Sequence, residues 1–327
     1  MQSGQGLVLP GLKEPEHKVY VGTAGWLYKD WAGIVYPKNP HSHIDDFANT
    51  DGLEKSSGHF DPLHYISHIF DTIEINSTFY KIPEPHIAKN WCERVAHKKE
   101  FFFTVKLWKE FTHGRTDFHR KEAAAFKEML DVLAEEKRLG CLLVQFPWSL
   151  YFNQNNLNWL KMIIADFSDY KIAVEVRNKE WLNERFIDFL KENNAAFCNI
   201  DLPDSSNQQI PPTSIITADF SYVRLHGRNH ENWFKEGASV EQRYDYLYSP
   251  EELKPWIERV KVLKAGTKET FFITNNHYHG QAVCNALEVK AIIEQKKQNI
   301  PEQLLEHYPL LKHYALPIEH KEQMDLF

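Results

Sequence analysis

The chain has 327 residues, 43% of them hydrophobic, with a net charge of -7 and a pI near 6.2. An acidic balance argues against a uniformly basic nucleic-acid coat but leaves room for a local basic groove. No run of about 18 apolar residues occurs, so no transmembrane helix is expected, and the N-terminus MQSGQGLVLPGLKEPEH lacks the basic start and apolar core of a secretory signal.

Residues 1–18 read as a loose N-terminal tail. The first apolar run, VYVGTAGW from Val19, leads into the aromatic, Gly-containing loop GTAGWLYKDWAGIVYP and then into residues 38–60, polar and turn-rich, read as a loop insertion. FDTIEIN from Phe70 is followed by the helical segment PEPHIAKNWCERVA, and FFFTVK from Phe101 by HRKEAAAFKEMLDVLAEEKR, with Phe126, Leu130, Leu133 and Ala134 at helical spacing. CLLVQF from Cys141 precedes NNLNWLKMIIADF, and KIAVEV from Lys171 precedes EWLNERFIDFLKENN. AAFCNID from Ala195 runs into LPDSSNQQIPPTSIITAD, whose three prolines and weak periodicity predict an irregular connection. SYVRLHG from Ser221 precedes SPEELKPWIERVKVLKA, which opens with Ser249 as N-cap, Pro250 at the first helical position and Glu252 as capping-box partner. TFFITNN from Thr270 precedes GQAVCNALEVKAIIEQKK.

Short runs rich in Val, Ile and Phe read as strands buried on both faces. Eight of them alternating with helices predict an α/β fold, a single-domain (β/α)8 barrel over residues 19–300 with an extension over 301–327. Cys92, Cys141, Cys198 and Cys284 show no CxxC spacing, and Cys141 and Cys198 fall inside predicted strands as small core residues, so a reduced, cytoplasmic protein is expected.

In such a barrel chemistry sits at the C-terminal ends of the strands. Those ends here carry Glu74 and Asn76, Lys106, Gln145, Glu175 and Arg177, Asp201, Arg224 and His226, and Asn275 and Asn276. Alternation along a strand puts Glu74 with Asn76, Glu175 with Arg177, and Arg224 with His226 on shared faces. A carboxylate on the barrel axis must be paired, hydrogen-bonded or metal-bound. Three cationic groups (Lys106, Arg177, Arg224) among three acids (Glu74, Glu175, Asp201) suit an anionic ligand, phosphate or carboxylate, held beside a general acid or base. A structural ion pair of Glu175 with Arg177 or Arg224 is the competing reading. No cofactor is predicted. There is no HExxH and no Cys pair, although Glu74, Glu175, Asp201, His226 and His277 offer an oxygen-and-imidazole set for a divalent metal.

The segments GTAGWLYKDWAGIVYP, FDTIEINSTFYKIP, FTVKLWKEFTH, VEVRNKEW, YVRLHGR and the pair Asn275–Asn276 together resemble the YecE-like family, a domain of unknown function. The resemblance spans residues 19–290 and implies a TIM-type barrel related to the endonuclease IV and xylose isomerase superfamily. It implies a site at Glu74, Asn76, Tyr80, Lys106, His113, Gln145, Glu175, Arg177, Arg224, His226, Gly227 and Arg228, without supplying a reaction. The chain departs from the family where Gln145-Phe146-Pro147 continues with Trp148 instead of a second proline. The zinc-ligand set of endonuclease IV is not recognisable, so nuclease activity does not carry over.

The final residues Gln323-Met324-Asp325-Leu326-Phe327 resemble the short motif by which bacterial DNA polymerases and repair proteins bind the sliding clamp. In that mode Gln323 makes polar contacts and Leu326 and Phe327 fill an apolar pocket. The alternative is that the two apolar residues pack back on the barrel. The expectation is an enzyme, a hydrolase or isomerase, that binds a phosphate-bearing or other anionic substrate, small molecule or nucleic acid. Glu74 or Glu175 would act as acid or base and His226 as proton shuttle. Asn76, Tyr80, Lys106, His113, Gln145, Arg177, Asp201, Arg224, Arg228, Asn275 and Asn276 would surround the substrate. The tail would link the protein to DNA repair or replication. The other readings are a sugar or sugar-phosphate isomerase and a non-catalytic adaptor.

Overall fold

The computed structural model describes residues 17–38, 60–203, 208–233 and 235–317. All but the ends of the 38–60 insertion, and Gln323, Leu326 and Phe327, lie outside the described residues. Eight parallel strands close a barrel in sequence order: β1 Lys18–Ala24, β2 Thr72–Ile75, β3 Phe102–Lys106, β4 Leu139–Gln145, β5 Ile172–Glu175, β6 Ala196–Asp201, β7 Phe220–Leu225 and β8 Glu269–Thr274, with β8 pairing back to β1. The predicted (β/α)8 barrel is thus the observed fold, and every apolar run named above contributes its strand.

Helices cover the outside: α1 Pro62–Ile69, α2 Pro85–Arg94, α3 Arg120–Glu135, α4 Gln154–Asp166, α5 Glu184–Glu192, α6 His230–Trp233, α7 Val240–Tyr244, α8 Pro250–Gly266, α9 Gln281–Glu294 and α10 Glu302–His307. The α8 capping box forms as predicted, with Ser249 and Glu252 satisfying each other's backbone N–H groups. The connection from β6 to β7 has no helix among its described residues, as its prolines require.

Three features escape the sequence reading. Helix α1 follows the insertion, capped by Asp61, whose side chain accepts from the Leu63 and His64 amides. Two short helices, α6 and α7, occupy the loop after β7. Residues 301–317 of the extension pack on the barrel: Leu304 and Leu311 are fully buried, the Tyr308 hydroxyl donates to the His279 carbonyl at 2.7 Å, and Gln303 donates to the Val35 carbonyl at 3.0 Å.

The barrel interior changes character from bottom to top. At the N-terminal end Tyr20, Phe102, Phe220 and Phe271 pack ring on ring, with centroids 4.8–6.5 Å apart. One layer up, the Thr104 and Tyr222 hydroxyls meet at 2.8 Å. Above them the interior is charged.

Candidate active site

The register fixes which strand-end residues face the axis. In a parallel sheet, paired residues point to the same side. Glu74 pairs with Thr104, Gln145 with Glu175, and Ile200 and Ile273 both with Arg224. Glu74, Lys106, Glu175, Arg224 and, by continued alternation, His226 and Asn275 therefore share the interior.

Arg224 is the centre of this group. Its Nη2 donates to Glu74 Oε1 at 2.6 Å and its Nη1 to Glu175 Oε2, so one guanidinium ties β2 to β5 from β7. Both carboxylates and the arginine are essentially removed from solvent. The remaining lone pairs are also used. Tyr222 donates to Glu74 Oε2 at 2.8 Å, and Arg177 Nε donates to Glu175 Oε1 at 2.8 Å. Burial alone would raise the Glu175 pKa, but Arg224, Arg177 and His226 outweigh it and hold the carboxylate ionised. The same acids lift the Arg224 pKa against its burial.

His226 lies beside this frame, its Nε2 3.4 Å from Glu175 Oε1. Asn275 Nδ2 lies 2.9 Å from His226 Nδ1 and donates to it, which leaves the ring proton on Nε2, facing Glu175. Burial drives the His226 pKa down to about 3, with Glu175 opposing and Arg224 adding to the depression. The Asn275 contact fixes the ring in one tautomer, and burial disfavours the imidazolium form that a proton shuttle passes through.

Lys106 is different. Among the described residues its Nζ has no carboxylate partner; it lies 4.1 Å above the Phe79 ring as a cation–π contact. Removal from water, then the positive Arg224, lowers its pKa to about 7, with Glu74 and Glu175 pulling the other way. Phe79 meets His113 edge-on at 4.9 Å, and Thr112 steadies that ring with a 2.9 Å contact to Nδ1. Burial, then the charge on Lys106, brings His113 down to about 4. Asn76, on the turn after β2, has a buried Oδ1 with no hydrogen-bond partner. Tyr80 is 69% exposed at the rim, with its ring edge on Phe79. Aromatic rings continue around the mouth. Arg177 lies over Trp233 at 5.9 Å, Trp233 meets Tyr244 at 5.3 Å, and His277 stacks on Tyr28 at 4.3 Å.

Four expected site residues are engaged away from the axial cluster or by their own backbone. Asp201 pairs in register with Leu225, not with Arg224, and so faces outward. There it accepts from Arg228 Nε at 2.9 Å and hydrogen-bonds Tyr248, so Asp201 and Arg228 brace the loop after β7 and not the axis. Asn276, one residue past Asn275, also turns outward and donates to the Tyr246 carbonyl and to Asn285 Oδ1 at 2.7 and 2.9 Å. Gln145 is buried on the inner face, but its amide donates to the Phe146 carbonyl. With Asp201 outward and His277 stacked on Tyr28, the five-residue metal set envisaged from the sequence does not converge.

Sequence reasoning missed Tyr222, Thr104 and Phe79. Tyr222 was findable, since it stands two residues before Arg224 on the same face. The placement of Phe79 under Lys106 depends on the turn after β2 and has no sequence signal.

The family model described as "Protein of unknown function DUF72" matches residues 20–308. The chain belongs to the DUF72 family. A solved DUF72 protein from Thermotoga maritima MSB8 is 34% identical, with a TM-score of 0.71, over 85% of this chain and 100% of its own. A DUF72 protein from Enterococcus faecalis V583, 23% identical, shares the fold with a TM-score of 0.70 over 86% of this chain and 98% of its own. The UPF0759 protein YunF of Bacillus subtilis (strain 168) is 26% identical over 289 residues, which are 84% of this chain and 95% of YunF. The charged mouth described above thus sits at the C-terminal face of a DUF72 barrel. No helix among the described residues is long and apolar enough to cross a membrane.

Proposed function

We propose that this DUF72 protein is an enzyme that binds a small anionic substrate, phosphate- or carboxylate-bearing, at the C-terminal mouth of its barrel. One observation carries the reading. Lys106 stands at the mouth with no carboxylate partner among the described residues, beside Arg177 and above a frame in which Glu74 and Glu175 share Arg224 and Glu175 also takes Arg177 Nε. A fixed cation and a near-neutral amine at one end of a barrel suit an anion held next to a proton-transfer group. Lys106, with its pKa near 7, fills the acid–base role better than Glu175 or His226. Glu74 and Glu175 become the anchors that hold Arg224 and Arg177, and Asn76 Oδ1 offers an acceptor to a substrate hydroxyl.

The aromatic rim of Phe79, Trp233, Tyr244 and Tyr28 favours a substrate with a ring or sugar body, which supports the isomerase-like form of this reading. Four cysteines, all buried and free, support a reducing, cytoplasmic home. A thermal-shift screen of inorganic phosphate, sugar phosphates, nucleoside monophosphates and small carboxylates tests the reading. At least one anion should stabilise the wild type and fail to stabilise Arg177→Ala and Lys106→Met. If none stabilises the wild type, the reading fails.

The C-terminal sequence Gln323-Met324-Asp325-Leu326-Phe327 favours a partner as well, a bacterial sliding clamp engaged through Gln323, Leu326 and Phe327. Calorimetry with the clamp should give binding by the full chain and none by a version lacking residues 323–327. Equal behaviour of the two would remove the link to DNA replication and repair.

A further inference from the structure

At the end of the barrel opposite the charged mouth, α1 carries His64 and His68 four residues apart, on one helix face. The turn after α2 brings His97 beside them. His68 stands just before β2 and His97 just before β3, so the group belongs to the N-terminal face, remote from Lys106 and Arg224. One ring nitrogen from each histidine lies within 4.8 Å of the other two. The ring centroids are 4.1–4.9 Å apart.

The surrounding hydrogen bonds orient these rings. Asp61 caps α1 and also takes the Arg94 guanidinium at the end of α2, with Nε to Oδ2 at 2.8 Å, which locks the two helices together. The Arg94 carbonyl lies 3.0 Å from His64 Nδ1. A carbonyl only accepts, so the His64 proton sits on Nδ1 and Nε2 presents its lone pair toward His68. A backbone carbonyl on the far nitrogen is the usual support of a metal-ligating imidazole. The Ser67 hydroxyl, which donates to the His64 carbonyl at 2.6 Å, lies 3.3 Å from His97 Nε2 and holds that ring toward α1.

The spacing fits an ion. His64 Nε2 and His68 Nε2 are 3.3 Å apart. Two nitrogens each about 2.0–2.1 Å from one tetrahedral zinc ion stand roughly 3.3–3.4 Å from each other. The same separation also fits a weak hydrogen bond between two neutral rings, and the experiment must separate the two. His68 and His97 are exposed and His64 is half-buried, so an ion has a path in. Two neighbouring cations are engaged elsewhere: Lys98 pairs with Asp71 at 2.9 Å, and Arg138 donates to the Lys98 carbonyl at 2.6 Å. An all-imidazole donor set suits zinc, copper or nickel and does not suit magnesium or calcium.

We infer that His64, His68 and His97 form a site for one divalent transition-metal ion of the zinc class, which would clip α1 to the turn between α2 and β3. Three protein ligands leave a fourth position for water.

The test is calorimetry of zinc chloride into the full, chelator-treated chain, with visible absorption of the cobalt(II) form as a second readout. The chain holds 17 histidines, so stoichiometry and position must both be read. One equivalent should bind to the wild type, with tetrahedral cobalt bands. His68→Ala and His97→Ala should each weaken zinc about tenfold or more and lose the bands. Exposed His313→Ala should leave both unchanged. Circular dichroism in chelator checks that each variant folds, and His97→Asn replaces any alanine variant that does not. No uptake by the wild type at micromolar zinc, or uptake undiminished in both ligand variants, overturns the inference. The first outcome leaves the three rings as a hydrogen-bonded cluster only.

Discussion

Arg224 donates to carboxylates on two other strands, and the consequences of removing it follow from what it leaves behind. Arg224→Met strands Glu74 and Glu175 in the barrel interior, and breaking a buried pair in this way costs about 3–5 kcal/mol. Glu175 keeps Arg224 when Arg177 is removed, so Arg177→Ala should cost less, about 1.5–3 kcal/mol for one charge-assisted hydrogen bond. Urea unfolding midpoints of the two variants compare these directly, and equal losses would contradict the asymmetry. Lys106 gives a pH signature. Its pKa is near 7 when folded and 10.5 in a free lysine, so between those values the unfolded chain binds more protons than the folded one. The stability contributed at this position is therefore fully present above pH 10.5 and is lost as pH falls through 7. Lys106→Met removes the charged form that burial penalises. It should raise Tm most at pH 6, less at pH 9, and not at all beyond pH 10.5. An identical Tm change at pH 6 and pH 9 would show that Lys106 keeps an ordinary pKa. If Lys106 is also the acid–base group, turnover of any substrate found should rise with pH through about 7 and lose that inflection in Lys106→Arg.

At the scale of elements, Gly22 shows how tightly the first two strands meet. A Cβ at this position would lie 1.8 Å from the Thr72 carbonyl oxygen, backbone that cannot move without breaking the β1–β2 ladder. Gly22→Ala is expected to abolish the soluble, folded protein, as read by yield and circular dichroism. Ser249→Ala removes only the α8 cap, and its cost should be about 0.5–2 kcal/mol by urea unfolding. The strands were legible because each is a short apolar run, and the large helices because their caps and periodicity are intact. What the sequence could not say is which face of a doubly buried strand looks inward. In AAFCNID both faces are buried, so Asp201 resembled its axial counterparts until the pairing of Ile200 with Arg224 turned it outward. Asn275 and Asn276 pose the same problem, since adjacent identical residues point to opposite sides. Helix α1 was hidden by its eight-residue length and by the insertion before it. The spacing of His64 and His68 is visible in the sequence, but His97 joins them only once α2 has folded back.

The whole molecule is a barrel with a different chemistry at each end. The interior rises from packed aromatic rings, through hydroxyl contacts, to a frame of Glu74 and Glu175 with Arg224 and Arg177, and above it stand Lys106 and an aromatic rim, with Arg177 reaching the rim over Trp233. The frame explains how this much charge can be buried in a protein of ordinary composition: each acid has a guanidinium and each guanidinium an acid, with Tyr222 taking one remaining lone pair. The groups left over at the mouth are the ones available to a substrate. The decisive measurement is calorimetry of the best-stabilising anion from the thermal-shift screen against wild type, Arg177→Ala and Lys106→Met. An account in which the mouth is an anion site predicts one equivalent bound by the wild type and affinity lower by about tenfold or more in each variant, the loss expected for a charge-assisted contact. Equal affinity in all three proteins would place the anion elsewhere and contradict the account.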